Sequence, residues 1–242
     1  MSMKWPMKRK IVFIADDFGL NNKVNEAIVY SHRNGVLNGT ALMLGQPGTE
    51  EAVKLAYENP QLEIGWHLHV VDSQPLSCDE WPWRTPAAAG FAIGFSRQAR
   101  TLVRTEIELQ WNAFLKTGLR CSFVNGHHHL CIHPFVRKTL VATIGDEFNG
   151  WLRWATPQFF GTNKIGYHLL DKLLQAPHRS RLPYELSNTL WGIDRSFSMN
   201  AKEVAAVIPT LGNGLHEFMF HPRQIESDND TQCLLELKDM NR

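Results

Sequence analysis

KIVFIADDFGLNNKVNEAIVYSHRNG, residues 10–35, starts with a short apolar run, turns polar at two adjacent carboxylates, and continues with a helical period. KIVFIA (10–15) has the length and composition of a buried strand. Asn21 or Asn22 caps a helix carrying Val24, Ala27 and Ile28, which ends at Asn34-Gly35. The same alternation repeats outward along the chain. VLNGTALML (36–44) is a second strand, residues 49–58 a helix stopped by Asn59-Pro60, and LEIGWHLHV (62–70) a third strand. Residues 97–116 carry a helical stripe of Leu102, Val103, Ile107, Trp111 and Phe114, and CSFVNG (121–126) is the next strand. Further strands are expected at 150–155 and 215–220, with a weaker one near 188–193. Strands alternating with helices build a mostly parallel sheet. About seven strands suit an α/β fold in which the sheet forms a barrel or partial barrel better than they suit an open sheet. No Gly-rich phosphate loop follows the first strand, which disfavours a nucleotide-binding doubly wound sheet.

The bulk properties agree. With 242 residues, 43% of them hydrophobic and 20% charged, the chain can bury a substantial core, and residues 1–242 are read as one domain. A net charge of +1 without a clustered basic face gives no reason to expect a nucleic-acid partner. No apolar run reaches membrane-spanning length and the first ten residues lack a secretion signal, so the expected compartment is cytoplasmic. Cys78, Cys121, Cys131 and Cys233 show no CxxC spacing and are expected to be reduced structural thiols. The stretch 71–96, rich in Pro, Gly, Trp and Ala, is expected to be a long irregular insertion.

Polar residues collect just past the C-terminal ends of strands, where a (β/α) barrel keeps its active site. Asp16 and Asp17 follow the first strand. Adjacent carboxylates coexist cheaply when one binds a cation and the other accepts hydrogen bonds, although a turn or helix cap is the plainer role for such a pair. His67 and His69 share a face of the third strand with Gly65, which leaves room for a ligand. His127, His128, His129 and His133 fall within seven residues after CSFVNG, and alternation sets His127 and His129 to one side. Imidazole with carboxylate suits Zn²⁺ and other borderline cations. His221 follows the strand HEFMF and is placed to donate a proton. Arg153, between Trp151 and Trp154, must find an anionic or carbonyl partner. Trp66, Trp81, Trp83, Trp151 and Trp154 are candidates for stacking on a ligand, against the plainer role of core packing.

Taken in order, IVFIADDFGLNNKVNEAI, GTALMLGQPGTEEAVKLAYENPQLEIGWHLHV, FVNGHHHLCIHP, GWLRWA and HEFMFHP resemble the YdjC-like carbohydrate deacetylases over roughly residues 10–237. DSQPL, AFLKTGLR and VNGHHHLCIHP look closest to the hopanoid-biosynthesis-associated branch. The resemblance implies an irregular barrel of the glycoside hydrolase/deacetylase type. It implies an amide hydrolase that removes acetyl from an N-acetylated sugar, free or on a glycolipid, with one divalent ion, Mg²⁺ or Zn²⁺. By motif position it makes Asp17, His67 and His127 the metal ligands, Asp16 the general base, and His221 the acid or transition-state stabiliser. Arg153, His129 and Trp66 are carried as substrate contacts. Cys131 stands where the family commonly has the last histidine of its run. A chito-oligosaccharide substrate and a non-catalytic sugar-binding relative are the alternatives, and a homodimer is one assembly left open.

Overall fold

The computed structural model describes residues 9–146, 148–153, 156–160, 182 and 184–240. Within them one nine-stranded sheet runs in the order β6-β8-β9-β1-β2-β3-β4-β5-β7, and every neighbouring pair is parallel. The strands are β1 (Lys10–Phe18), β2 (Gly39–Leu42), β3 (Glu63–Leu68), β4 (Phe123–Gly126), β5 (Trp151–Leu152), β6 (Thr156–Gln158), β7 (Glu185–Leu186), β8 (Thr189–Trp191) and β9 (Leu215–Phe220). Nine strands replace the expected seven or so: β5 and β8 fall within the expected 150–155 and 188–193, whereas β6 and β7, of three and two residues, are too short to carry a period of two. Among the described residues β6 and β7 do not pair, so the sheet is a half-barrel.

The curl is measurable. Arg153, just past β5, donates to Glu217 on β9 at 2.7 Å, although four strands separate β5 from β9. In a flat sheet those strands would lie about 24 Å apart. The outer face of the sheet (Phe13, Ala15, Ile64, Trp66, Leu68, Val124, Phe218, Phe220) packs into the main core. Val12, Ile14, Ala41, Phe123, Trp151 and Leu215 fill the inside.

Seven helices cover the described sheet: α1 (Asn22–Asn34), α2 (Thr49–Glu58), α3 (Pro86–Phe95), α4 (Arg97–Lys116), α5 (Pro134–Ile144), α6 (Ala201–Val207) and α7 (Asn229–Met240). Asn21 is the α1 cap, its side chain accepting from the Val24 N–H at 3.1 Å. The insertion at 71–96 is not wholly irregular as expected. It contains α3, PAAAGFAIGF, capped by Thr85 with Pro at its first turn. The helix has no polar face, so amphipathic periodicity could not reveal it. Gly65 also has a different purpose from the expected ligand clearance: a Cβ there would meet the Phe123 ring at 2.4 Å. The ring of β4 crosses β3 at that glycine to fill the barrel interior.

Candidate metal centre and active site

β1 delivers both carboxylates to one place by breaking its own register. Ala15 pairs with Thr40 and Phe18 with Leu42, so one extra residue of β1 is bulged out between them. Asp17 occupies that bulge with φ of 68°. Neighbours on a regular strand point to opposite faces; the bulge turns Asp17 inward beside Asp16. Gly19, at φ of 93°, turns the chain away where a Cβ would meet the Met43 carbonyl at 2.8 Å. Asn25 holds this turn, accepting from Gly19 N–H and donating to the Gly48 carbonyl.

Three groups converge on one point. Asp17 Oδ1 lies 3.2 Å from His67 Nε2 and 3.0 Å from His127 Nδ1, and the two nitrogens are 3.3 Å apart. Asp17 and His67 are buried and His127 half-buried. The hydrogen bonds around them fix the protons. Asn125 donates Nδ2–H to Asp16 Oδ1 at 2.8 Å, so its Oδ1 faces His67 and accepts from Nδ1 at 2.6 Å. His67 therefore carries its neutral-form proton on Nδ1 and presents a lone pair at Nε2. Asp17 Oδ1, itself buried, has no hydrogen-bond donor. A carboxylate oxygen and imidazole nitrogens meeting at such distances require a cation or a proton between them, and this donor set fits a divalent ion. Asn125 is the supporting residue that orients a ligand histidine. Burial opposes charge on His67, but the Asp16 and Asp17 carboxylates outweigh it and raise its pKa. A proton thus competes with a cation for Nε2.

Asp16 stands beside this cradle in a buried ion network. Arg153 binds it through both guanidinium ends, Nη1 to Oδ2 at 2.5 Å and Nη2 to Oδ1 at 2.8 Å, and gives Nε–H to Glu217 at 2.7 Å. Burial would raise the Asp16 pKa, but the charges of Arg153 and His67 overcome it and bring it down to about 2. Glu217 is pushed up to about 6, chiefly by burial, and its Oε2 has no partner. Arg153 is thereby corrected from a substrate contact to an anchor: it is 3% exposed and its donors are spent on two carboxylates.

Trp66 is likewise corrected. It has no accessible surface, packs on Trp111 with centroids 5.3 Å apart and donates to Gln110. It sits on the outer face of β3, opposite His67, so no sugar can reach it. Trp83 and Trp151 are buried and Trp81 is half-buried, whereas Trp154 lies outside the described residues.

His69 is held away from the cradle. Its Nε2–H donates to the Leu44 carbonyl and its Nδ1 accepts from Ser73, while burial drives its pKa to about 3. The histidine run folds differently from an alternating strand. Residues His127–Ile132 form a kinked 3₁₀ segment in which His128 and His129 leave helical geometry, with φ of 51° and 57°. His128 turns out to solvent, 3.1 Å from Asp72. His129 stays half-buried, its pKa lowered to about 3 by burial and by the Arg153 charge. His128→Ala is therefore expected to leave metal affinity within about threefold of wild type, an exposed contact with Asp72 contributing little. Titration of Zn²⁺ into the variant checks this.

β9 and the segment after it close the site. Asp230 accepts from the His221 N–H at 2.7 Å and the Met199 N–H at 3.0 Å, fixing this corner. The His221 Nδ1 is buried without a partner, and burial first, then the charges of Arg223 and Arg153, depress its pKa. Arg223 donates to Asp17 Oδ2 at 2.9 Å and lies over the Phe197 ring. Asn125, Glu217, Arg223 and Asp230 escaped the sequence reading. Glu217 had a signal, a lone carboxylate between Leu215 and Met219 on the inward face of LHEFMF. Arg223 and Asp230 had none, because only folding brings them to the cradle.

Fold and site together define a parallel α/β half-barrel with a cation cradle of one carboxylate and two imidazoles at its strand ends. Comparison with known proteins agrees: the model of the YdjC-like protein family matches residues 10–240, and the chain belongs to that family. A carbohydrate deacetylase of Vibrio cholerae serotype O1 (strain ATCC 39541 / Classical Ogawa 395 / O395) is 39% identical over 189 residues, 70% of this chain and 74% of that protein. Carbohydrate deacetylases of Vibrio parahaemolyticus serotype O3:K6 and Brevibacillus brevis are 38% and 33% identical, over 52% and 64% of this chain. Those two matches span only 51% and 62% of the relatives' own lengths. In structure the chain is similar to a putative cellobiose-phosphate cleavage protein from Enterococcus faecalis V583. Its TM-score is 0.71 at 16% identity, over 96% of this chain and 93% of the other, a likeness of fold. No helix among the described residues is long and apolar enough to cross a membrane, and all four cysteines are free thiols.

Proposed function

We propose that this chain is a metal-dependent carbohydrate deacetylase that hydrolyses the acetamide of an N-acetylated sugar. The observation that carries the reading is the Asp17, His67 and His127 cradle with the Asp16 carboxylate fixed beside it. The names of the relatives support the substrate class. Two imidazoles and a carboxylate suit Zn²⁺ better than Mg²⁺, which prefers oxygen ligands. A divalent ion held there supplies Lewis acidity, polarising the acetyl carbonyl and making water easier to deprotonate.

The chain's own groups do the rest. Asp16, held ionised by Arg153, accepts the proton of the attacking water. Orientation is what this carboxylate offers, since a pKa of about 2 makes it a weak base. Glu217 holds Arg153 from the far side. Between protonating the departing amine and stabilising the transition state, the neutral resting form of His221 favours the second. The proton collected by Asp16 then passes to the amine. His129, in the electrostatic reach of Asp16 and Arg153, is kept as the proposed sugar contact, and Trp81 is the stacking candidate that keeps partial exposure.

The sugar is proposed to carry a larger, partly apolar aglycone. The 71–96 insertion follows the His67 strand, and its helix α3 sits against the turn that begins at His127: a Cβ on Gly90 or Gly94 would lie 4.0 Å from Leu130 or 3.9 Å from His133. The expected result is acetate release dependent on bound metal, with kcat/KM for an alkyl N-acetylglucosaminide at least about tenfold above that for free N-acetylglucosamine. Preference for a chitin disaccharide over every lipid-linked substrate would reverse the aglycone assignment. No acetate from any of the three would leave a sugar-binding relative without catalysis.

A further inference from the structure

α3 is an apolar helix that the fold leaves largely uncovered. Of its ten residues only Ala89 and Ile93 are buried. Phe91 is 69% exposed and Phe95 81%, and their rings pair with centroids 4.8 Å apart. A helix without a polar side is normally buried on all sides. Two adjacent exposed phenylalanines on one therefore mark a surface that something covers.

The charges around it indicate what. Arg84 is exposed just before the helix, and Arg97, Arg100 and Arg104 follow on one face of α4, spaced three and four residues apart. Arg100 joins the two helices directly, donating to the Ile93 carbonyl at 2.8 Å and to the Gly94 carbonyl. Arg100 and Arg104 both lie over the Phe135 ring. Among the described residues no carboxylate forms an ion pair with Arg84, Arg97, Arg100 or Arg104. The first acidic residue on that face of α4, Glu108, is a turn beyond Arg104. An apolar tip collared by guanidinium groups without carboxylate partners matches the two layers of an anionic lipid surface, acyl chains beneath phosphates.

We propose that α3 and the first turns of α4 are an interfacial anchor that docks this protein on an anionic lipid surface. Phe91 and Phe95 enter the acyl boundary while Arg84, Arg97, Arg100 and Arg104 meet headgroup phosphates. Because α3 rests against the turn containing His127, docking holds the cation cradle near the lipid plane. The proposal is compatible with an apolar aglycone but does not depend on catalysis, and sugar-free vesicles test it separately.

The test is co-sedimentation of the 242-residue chain with vesicles of phosphatidylglycerol and phosphatidylcholine, and with phosphatidylcholine alone. Two double variants accompany it, Phe91→Ser/Phe95→Ser and Arg97→Gln/Arg104→Gln, with circular dichroism and Zn²⁺ occupancy as checks that each remains folded. The expected result is binding to the anionic vesicles that falls with added salt and weakens about tenfold or more in each variant, as roughly fivefold per basic residue predicts for the arginine pair. Failure of the wild-type chain to bind anionic vesicles would overturn the proposal. So would equal binding to phosphatidylcholine alone, or wild-type binding by the phenylalanine variant. A dimer that dissociates in the phenylalanine variant, with no vesicle binding, would instead assign the surface to a second copy of this chain.

Discussion

Asp17→Asn, His67→Ala and His127→Ala are each expected to weaken binding of a divalent cation by more than about two orders of magnitude, since losing even a supporting residue of such a site costs roughly 10–100-fold. The three donor atoms lie within 3.0 to 3.3 Å of one another, so each variant deletes one arm of a small cradle. Acetate release should fall in parallel. Asp17→Asn is the most informative of the three, because the amide is nearly isosteric and leaves the Arg223 contact with an acceptor oxygen. Elemental analysis of protein dialysed against metal-free buffer measures the effect. Full occupancy in any one variant would remove that residue from the ligand set.

Asp16→Asn should separate metal binding from turnover. Asp16 contributes no atom to the cradle, so occupancy should persist. Turnover should drop by roughly two to four orders of magnitude, the usual loss when a positioned proton acceptor is removed. The substitution also takes one carboxylate from the buried Arg153, leaving it Glu217 alone. A lower unfolding temperature is expected alongside, because a buried charge that loses its partner is costly. The two effects are told apart by assaying well below the transition and by measuring metal content on the same sample. Near-normal acetate release would falsify the assignment of Asp16 as the base and move that role to another group.

Much of this arrangement was legible before folding. Short apolar runs alternating with helical periods specified a parallel α/β sheet, because each period reports which face of an element is buried. α2 and α4 fall at 49–58 and 97–116, as their stripes and stop signals require. The placement of Asp16, Asp17, His67 and His127 after strands was also visible, since strand ends in such a sheet share one rim. What periodicity could not express was lost. α3 has no polar side to generate a helical signal, and β6 and β7 are too short to show alternation.

Only the tertiary structure decided how the polar residues divide their work. Asp16 and Asp17 serve one site because a bulge, pinned against β2, rotates Asp17 into the left-handed region. His67 joins the cradle while His69, just past the end of β3, is taken up by Leu44 and Ser73. Arg153 reaches Asp16 and Glu217 only because the sheet curls; its charge holds Asp16 ionised, while burial still raises Glu217 to about 6. A sequence determines what each residue can donate or accept along its own strand. The partner that claims it is set by distances across strands, and those exist only once the sheet has curled around its interior.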